Sequence, residues 1–222
     1  MGVVMFVQEK VTKFRLHSRE RGITWAARWA GREAFRRIAR IRQVDLLARE
    51  VLGEFPRIRS KTAIEFVRIG QYGTIDSDRL IRAWPKHRKL FEERLRRRQI
   101  CIAGFNGDSP VGYTWVSVIP ETDASLGLTI APREDETYGF DLYTLPEYRP
   151  QLVGHELITR YLECTKELGR RQALGWVENS NQLMQITIRV VFGFRTIGRV
   201  RSVELFGKYG IIVSREVLQS NS

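Results

Sequence analysis

Residues 138–157 read YGFDLYTLPEYRPQLVGHEL, a run in which a strand pattern passes through a compact loop into a helix pattern. We expect a strand over residues 138–145 and a helix over residues 154–168, which Gly169 ends. The first backbone amides of a helix have no internal partner and lie at the positive end of its dipole, so they bind anions. The run therefore predicts an anion site between the strand and the helix.

The residues before this run predict further strands and helices. Residues 64–69 alternate apolar and charged side chains and precede glycines, which is typical of a strand ending in a turn. Asp76 or Ser77 is expected to cap a helix, which Pro85 interrupts before the helical pattern resumes over residues 86–98. The main domain is predicted to start close to residue 61.

A hairpin is predicted after these helices. Residues 100–105 and 111–119 are apolar and β-branched or aromatic, and Asn106-Gly107 between them is a strong hairpin signal. Residues 120–136 are interpreted as an acidic loop. Beyond residue 169 we expect a short strand over residues 173–177, a helix that starts between residues 179 and 181, and a strand over residues 196–206. The order is mixed, without repeats.

The run resembles the phosphate loop of the GNAT superfamily of N-acetyltransferases, which reads Arg or Gln, two residues, Gly, one residue, then Gly or Ala. Arg149 and Gly154 match this pattern, and Leu152 occupies the first glycine position. The order of elements over residues 64–206, including the closing Gly193-Phe194, also follows the family. The resemblance implies a mixed α/β (α+β) fold whose mostly antiparallel central sheet is flanked by helices.

The same resemblance implies where acetyl-coenzyme A, or another acyl-coenzyme A, would bind as co-substrate without a metal. The strand over residues 138–145 would splay from the next strand and expose the backbone of Leu142, Tyr143 and Thr144 to the pantetheine arm. Asn181 would reach the pantetheine end, or would cap its helix instead, since Asn fills that position well. The loop residues implied in pyrophosphate binding are Arg149, Gln151, Leu152, Val153, Gly154 and His155.

Three positions depart from the family pattern. Pro150 removes an amide donor from the loop, and Leu152 lacks the conformational freedom of glycine. Arg189 stands where the family often has a tyrosine that protonates the leaving thiolate, and arginine cannot act as that acid. Arg189 is interpreted either as a surface residue or as a cation that stabilises the thiolate.

Two carboxylates are candidates for the catalytic base. An alkylamine with a pKa near ~10 is mostly protonated at neutral pH, so a base has to accept its proton. Asp141 is the first candidate because it lies beside the expected thioester, on a strand where it should face opposite to Phe140 and Leu142. A structural role for Asp141, bonding loop amides, stays open. Glu121, at the start of the acidic loop, is the second candidate.

The composition limits the class of protein. The chain has 222 residues, 43% of them hydrophobic, which supports one sizeable core with an appendage. Cys101 and Cys164 show no metal-binding or disulfide spacing, so both are expected to be reduced and buried. No apolar run approaches the ~20 residues of a membrane span, and we expect a cytoplasmic protein, with a peripheral membrane location left open.

The net charge of +12 is concentrated at the start of the chain, because residues 1–43 contain 11 Lys and Arg against 3 Glu. Residues 23–41 have the period of an amphipathic helix, and residues 1–60 are predicted to form a basic helical extension ahead of a domain over residues 61–215. Its helix is interpreted either as packed on the domain with solvated arginines or as contacting a membrane surface or an acidic partner.

A second basic run contains Arg94, Arg96, Arg97 and Arg98. It is interpreted as a solvated helix end because two glutamates adjoin it and no aromatic residues interleave with it, so specific nucleic-acid binding is not expected.

The sequence thus predicts an N-acetyltransferase in which an amine acceptor, either a small molecule or a protein, attacks the thioester directly. The alternative is a non-catalytic module of the same fold that binds a membrane surface or nucleic acid through its basic N-terminus. The acidic side chains of residues 120–136 would suit a cationic acceptor.

Overall fold

The computed structural model describes residues 39–70, 73–124, 126–205 and 208–214. The described strands are β1 (Ala39–Glu50), β2 (Glu65–Ile69), β3 (Ile100–Asn106), β4 (Ser109–Ser117), β5 (Glu121–Asp123), β6 (Leu128–Ile130), β7 (Glu136–Thr144), β8 (Gln172–Glu178), β9 (Arg195–Leu205) and β10 (Lys208–Ser214). The main sheet contains eight of them in the order β10-β9-β1-β8-β7-β4-β3-β2, and β5 pairs with β6 in a separate sheet. Neighbouring strands are antiparallel except for β7 and β8, which are parallel.

Helices flank this sheet, so the predicted mixed fold is confirmed. The described helices are α1 (Ile75–Ala83), α2 (Arg88–Arg96), α3 (Val153–Glu167) and α4 (Gln182–Ile186). Short 3-10 turns over Pro85–His87 and Pro146–Gln151 precede α2 and α3, and a π-helical turn over Thr187–Val191 follows α4. Among the described residues, no helix is both long enough and apolar enough to cross a membrane.

The two faces of the sheet are covered by different elements. Leu157 and Leu162 of α3 pack into one hydrophobic cluster, and Leu80 of α1 and Phe91 of α2 pack into another that contains Trp115. Neighbouring β3 residues belong to different clusters, as expected when successive side chains of a strand point to opposite faces. The two cysteines are free and buried, as predicted.

The start of the chain differs from the prediction where the structure describes it. Residues 1–38, which include most of the helix predicted over residues 23–41, lie outside the described residues. Residues 39–41 begin β1, which pairs with both β8 and β9 in the middle of the sheet. The sheet therefore includes residues well before the predicted boundary at 61. Pairing on both edges and burial of Val44 and Leu47 favour the strand over the local helical period.

Two local predictions are wrong. The segment predicted as an acidic loop contains the β5–β6 hairpin, whose three-residue strands are too short to give a periodic pattern. Leu126 between them is buried against Val44 and Val200 of the main sheet. The cap of α1 is Thr74 rather than Asp76 or Ser77, because the Thr74 hydroxyl accepts a hydrogen bond from the Ser77 amide at 3.2 Å.

The parallel strands β7 and β8 diverge along their length. They pair at three positions only, the last being Tyr138 opposite Leu174, and β7 then continues to Thr144 without pairing to β8. The edge of β7 that faces β8 is therefore open from residue 139 onward, as the resemblance implies.

Tyr161 of α3 closes the vertex of this opening. Its hydroxyl donates to the carbonyl oxygen of Leu174 at 2.8 Å and lies 3.2 Å from the carbonyl oxygen of Thr137, so it bridges the two strands. The Tyr161 ring packs against Gly139, where an added Cβ would lie only 2.6 Å from it. A side chain at residue 139 would displace this ring, so the glycine allows α3 to approach β7.

Candidate active site

A cavity of about 660 Å³ lies along the opening between β7 and β8. Its walls come from both strands, from α2, from the β5–β6 hairpin, and from the α4 region. A cavity of this size falls in the usual range for small-molecule sites. Both predicted base candidates, Asp141 and Glu121, line it.

Asp141 occupies a β-bulge in β7. Tyr113 and Trp115 of β4 pair with Tyr143 and Phe140 of β7, so β7 carries one extra residue between them. Asp141 has φ 51°, a left-handed conformation that Asp tolerates better than most residues. The bulge interrupts the alternation of side chains along the strand.

The bulge corrects the predicted orientation of Asp141. The Arg94 guanidinium lies over the ring of Phe140 at 4.9 Å and donates to the Asp141 carboxylate at 2.6 Å, so Asp141 and Phe140 lie on the same side of β7. The Asp141 side chain is 36% exposed, whereas that of Arg94 is 11% exposed. One carboxylate is thus anchored by a largely buried cation while it remains accessible from the cavity.

Glu121 is held more tightly than Asp141. Gln99 donates to the Glu121 carboxylate at 2.6 Å, and Arg97 lies 2.8 Å from the same oxygen. The side chain of Glu121 is largely buried. The basic run at the end of α2 is therefore not simply a solvated helix end, because Arg94 and Arg97 each pair with a cavity carboxylate.

The predicted pantetheine-binding residues follow the bulge along the open part of β7. Leu142 lines the cavity and packs against the core on the α3 side. The ring of Tyr143 lies 5.6 Å from that of Tyr113 on β4. Thr144 pairs with Gly112 of β4. Leu142, Tyr143 and Thr144 lie along β7 between the cavity and the start of α3. The rise of a strand separates the Cα atoms of Leu142 and Thr144 by about 7 Å.

The predicted phosphate loop forms a 3-10 turn before α3. Arg149 donates to the Thr144 carbonyl oxygen at 3.3 Å, which ties the loop back to β7. The backbone carbonyl oxygen of Gln151 accepts a hydrogen bond from the Lys61 amide at 2.9 Å. Leu152 has φ 63°, so a leucine takes the left-handed conformation at the family's glycine position, and its amide donates to the Arg149 carbonyl at 3.3 Å.

The first turn of α3 contains the remaining loop residues, Val153, Gly154 and His155. Val153 is buried, and an added Cβ on Gly154 would lie 3.3 Å from the Thr144 hydroxyl oxygen, so the helix starts tightly against the end of β7. Burial lowers the pKa of His155, which favours its neutral imidazole. Residues 149–155 do not line the cavity, which lies farther along the opening.

Asn181 and Arg189 lie in the α4 region. Asn181 lines the cavity and is also the N-cap of α4, because its side chain accepts from the Met184 amide at 3.1 Å. Arg189 is ion-paired with the buried carboxylate of Asp45, which Arg199 also contacts at 2.9 Å. Arg189 lines a different pocket from the cavity, together with Asp45.

Sequence reasoning assigned no site role to several cavity residues, among them Arg94, Tyr138 and Trp176. For Arg94 a signal was present, because it follows Leu90 and Phe91 by four and three residues and so lies on the side of α2 that packs on the sheet. Tyr138 and Trp176 have patterns typical of core strand residues. Their role at the cavity depends on the divergence of β7 from β8, which no local pattern encodes.

Solved structures match the chain at low sequence identity. A GCN5-related glucosamine N-acetyltransferase region of a fungal multi-domain β-N-acetylglucosaminidase matches with 12% identity and a TM-score of 0.51, over 83% of this chain and 23% of that one. A functionally unknown conserved protein from Staphylococcus epidermidis matches with 11% identity and a TM-score of 0.49, over 82% of this chain and 66% of that one. The chain thus spans less than two thirds of the length of each of these proteins.

An aminoglycoside N-acetyltransferase in complex with CoA matches with 13% identity and a TM-score of 0.44, over 60% of this chain and 90% of that one. No curated protein sequence matches the chain. A family model described as the acetyltransferase (GNAT) family matches residues 69–194. Since this match covers more than half of the residues, the chain belongs to the GNAT acetyltransferase family.

Proposed function

We propose that the chain transfers an acetyl or other acyl group from an acyl-coenzyme A thioester to an amine acceptor. One observation carries this proposal: β7 and β8 separate beyond Tyr138, next to a cavity that contains carboxylates, and the start of α3 lies at the far end of the open edge. The family of the chain supports the same chemistry.

The coenzyme would bind along β7 and end at α3. The open edge between residues 139 and 144 offers backbone groups to the amides of pantetheine. The first-turn amides of α3 at Val153, Gly154 and His155 would bind the pyrophosphate, since such amides lack internal partners. Pro150 has no amide and the Leu152 amide already has an acceptor, so α3 itself would provide most of the anion contacts.

Acyl transfer would need no acyl-enzyme. The amine nitrogen attacks the thioester carbonyl carbon, the carbon–sulfur bond breaks, and coenzyme A leaves as its thiolate. A backbone amide near Leu142 or Tyr143 would stabilise the developing oxyanion. Asp141 would take the proton of the amine, directly or through water. Asp141 suits this role better than Glu121, because two side chains already hold one Glu121 oxygen, and that residue is largely buried.

The proposal is tested by release of free coenzyme A thiol from acetyl-coenzyme A in the presence of amine acceptors. The panel contains amino sugars, amino acids, diamines, monoamines and lysine peptides. We expect thiol release that depends on the amine and an acetylated product detected by mass spectrometry. Absence of both across the whole panel would contradict the proposed activity.

A further inference from the structure

Arg94 is held in place from several sides. Its backbone belongs to α2, which Phe91 and Leu95 anchor in the hydrophobic cluster that contains Trp115. The guanidinium carbon of Arg94 lies 5.1 Å from the ring centroid of Trp115 and 4.9 Å from that of Phe140. Aromatic faces attract a guanidinium group, which also stacks on them because it is planar. The long side chain of Arg94 therefore has a defined position in the cavity wall.

Asp141 takes its orientation from Arg94. The Asp141 side chain is 36% exposed, so packing restrains it little. Asp141 also lies at the bulge of β7 with φ 51°, where the alternation of a regular strand no longer directs side chains. The Arg94 guanidinium donates to Oδ2 of Asp141 at 2.6 Å, which is a charge-assisted and therefore strong hydrogen bond. This bond fixes the direction of the carboxylate.

We propose that Arg94 is a positioning residue for acyl transfer and acts on the reaction through Asp141. This inference rests on the proposed function. Arg94 binds Oδ2 of Asp141 and leaves Oδ1 to accept the proton of the amine, directly or through water. The proton moves from the amine nitrogen to Oδ1, and the guanidinium keeps its own protons because arginine does not deprotonate in proteins.

The test compares turnover in variants of the full-length protein, with acetyl-coenzyme A and the amine that gives the fastest thiol release in the wild type. Arg94→Met removes the charge and keeps an unbranched side chain between the two rings. We expect kcat to fall about tenfold or more, because a reacting group displaced by about 1 Å can lose about 100-fold in rate. The dissociation constant of acetyl-coenzyme A, measured by calorimetry, should be unchanged, because the proposed coenzyme contacts are made by backbone groups.

A double-mutant cycle with Asp141→Asn tests whether Arg94 acts through Asp141. In the Asp141→Asn background, Arg94→Met should change kcat by less than about threefold, because the carboxylate that Arg94 positions is already absent. An arginine that only supported the fold would lower kcat by the same factor in both backgrounds. Recurrence of the full loss in the Asp141→Asn background, or wild-type turnover in Arg94→Met alone, would overturn the proposal.

Arg79→Met is a matched control, since Arg79 makes the same kinds of contact away from the cavity. The Arg79 guanidinium lies 4.0 Å from the ring centroid of Phe105 and 2.8 Å from the Glu65 carboxylate. Arg79→Met should therefore retain the kcat of the wild type. A loss of turnover equal to that in Arg94→Met would assign the effect to packing of arginine against the sheet and would also overturn the proposal.

Arg94→Lys keeps the charge but replaces the planar fork of donors by a single ammonium group on a flexible chain. Its kcat should lie between those of the wild type and Arg94→Met, and a kcat below that of Arg94→Met would contradict the role of the ion pair. Arg94→Lys also takes the place of Arg94→Met in the cycle if the methionine variant does not fold.

The two proposals fail in different ways. If no amine causes thiol release by the wild type, the proposed function itself is wrong. If the wild type releases thiol and Arg94→Met is equally active, acyl transfer stands and Arg94 is not a positioning residue.

Discussion

Asp141 combines a strained backbone with an anchored side chain. Its φ of 51° results from the bulge, and the bulge turns its carboxylate toward Arg94 of α2. Since Arg94 lies between the rings of Trp115 and Phe140, it has little freedom to move. A base held in this way has one oxygen bonded to a fixed cation, and the rest of the carboxylate can face the amine.

Replacing Asp141 with Asn should lower kcat by about 100-fold, the usual contribution of a positioned base. Affinity for acetyl-coenzyme A should be unchanged, because the coenzyme contacts proposed on β7 are made by the backbone. Steady-state turnover and calorimetry measure the two effects. Asp108→Asn, which changes the same charge on an exposed turn, is the control, and unchanged turnover in Asp141→Asn would remove Asp141 as the base.

At this scale the sequence pointed to two acids that line the cavity and missed what holds them. Asp141 and Glu121 both line the cavity, as candidates chosen from the family pattern and the acidic segment. Their partners lie far from them in sequence, Arg94 on α2 and Arg97 at the end of that helix. The predicted facing direction of Asp141 was wrong because a bulge leaves no periodic signal.

The opening between β7 and β8 depends on one helix. Tyr161 of α3 bridges the strands at the vertex, and Gly154 brings the start of the same helix against Thr144 at the other end of the open edge. α3 therefore sets both where the strands part and where an anion would bind.

Tyr161→Phe should lower the free energy of unfolding by about 1–2 kcal/mol, because the carbonyl oxygen of Leu174 loses its buried donor. Urea denaturation measures this loss. Tyr148→Phe is a matched control, since the Tyr148 hydroxyl makes an exposed hydrogen bond at 3.3 Å. Loss of that bond should lower the free energy of unfolding by less than the loss in Tyr161→Phe. Equal losses in the two variants would argue against a special role for the vertex.

We expect acetyl-coenzyme A to raise the melting temperature of the wild type and Gly154→Glu to abolish this rise. The new carboxylate would lie at the first turn of α3 and repel phosphate, and its Cβ would also crowd the Thr144 hydroxyl. Gly53→Glu adds the same charge at a position with open space around it and should retain the shift. A normal shift in Gly154→Glu would place the pyrophosphate elsewhere.

Long, strongly patterned elements were predictable from the sequence, and short or tertiary-dependent ones were not. The β3–β4 hairpin follows from Asn106-Gly107, and α3 from its apolar period and Gly169. The strands β5 and β6 have three residues each, and β1 was missed because residues 38 and 41 also fit a helical period. A local sequence pattern cannot show that β1 pairs with both β8 and β9.

In the molecule as a whole, Glu156 ties the segment before β2 to α3. This buried carboxylate accepts from the Ser60 amide at 2.6 Å and from Arg59 and Arg160 at 3.1 and 3.0 Å. Burial alone would raise the pKa of Glu156, but these hydrogen bonds outweigh it, and the net pKa lies below the usual 4.5. The contact therefore joins a connecting segment to the helix that shapes the site.

A lowered folded pKa means that Glu156 stabilises the protein fully above pH 4.5 and loses this effect as the pH falls through the folded value. Glu156→Gln should therefore be less stable than the wild type by about 1–2 kcal/mol at pH 7. The difference should shrink as the pH falls below 4.5. Urea unfolding at pH 7, 5 and 3.5 measures it, and a difference that grows at low pH would contradict the assignment.

Calorimetric titration of the wild-type protein with acetyl-coenzyme A tests the central claim most directly, because both proposals require the open edge of β7 and the start of α3 to bind the thioester. We predict saturable binding at one site per chain, competed by free coenzyme A and lost in Gly154→Glu but retained in Gly53→Glu. Absence of binding by the folded wild type, or equal binding by both variants, would contradict the account.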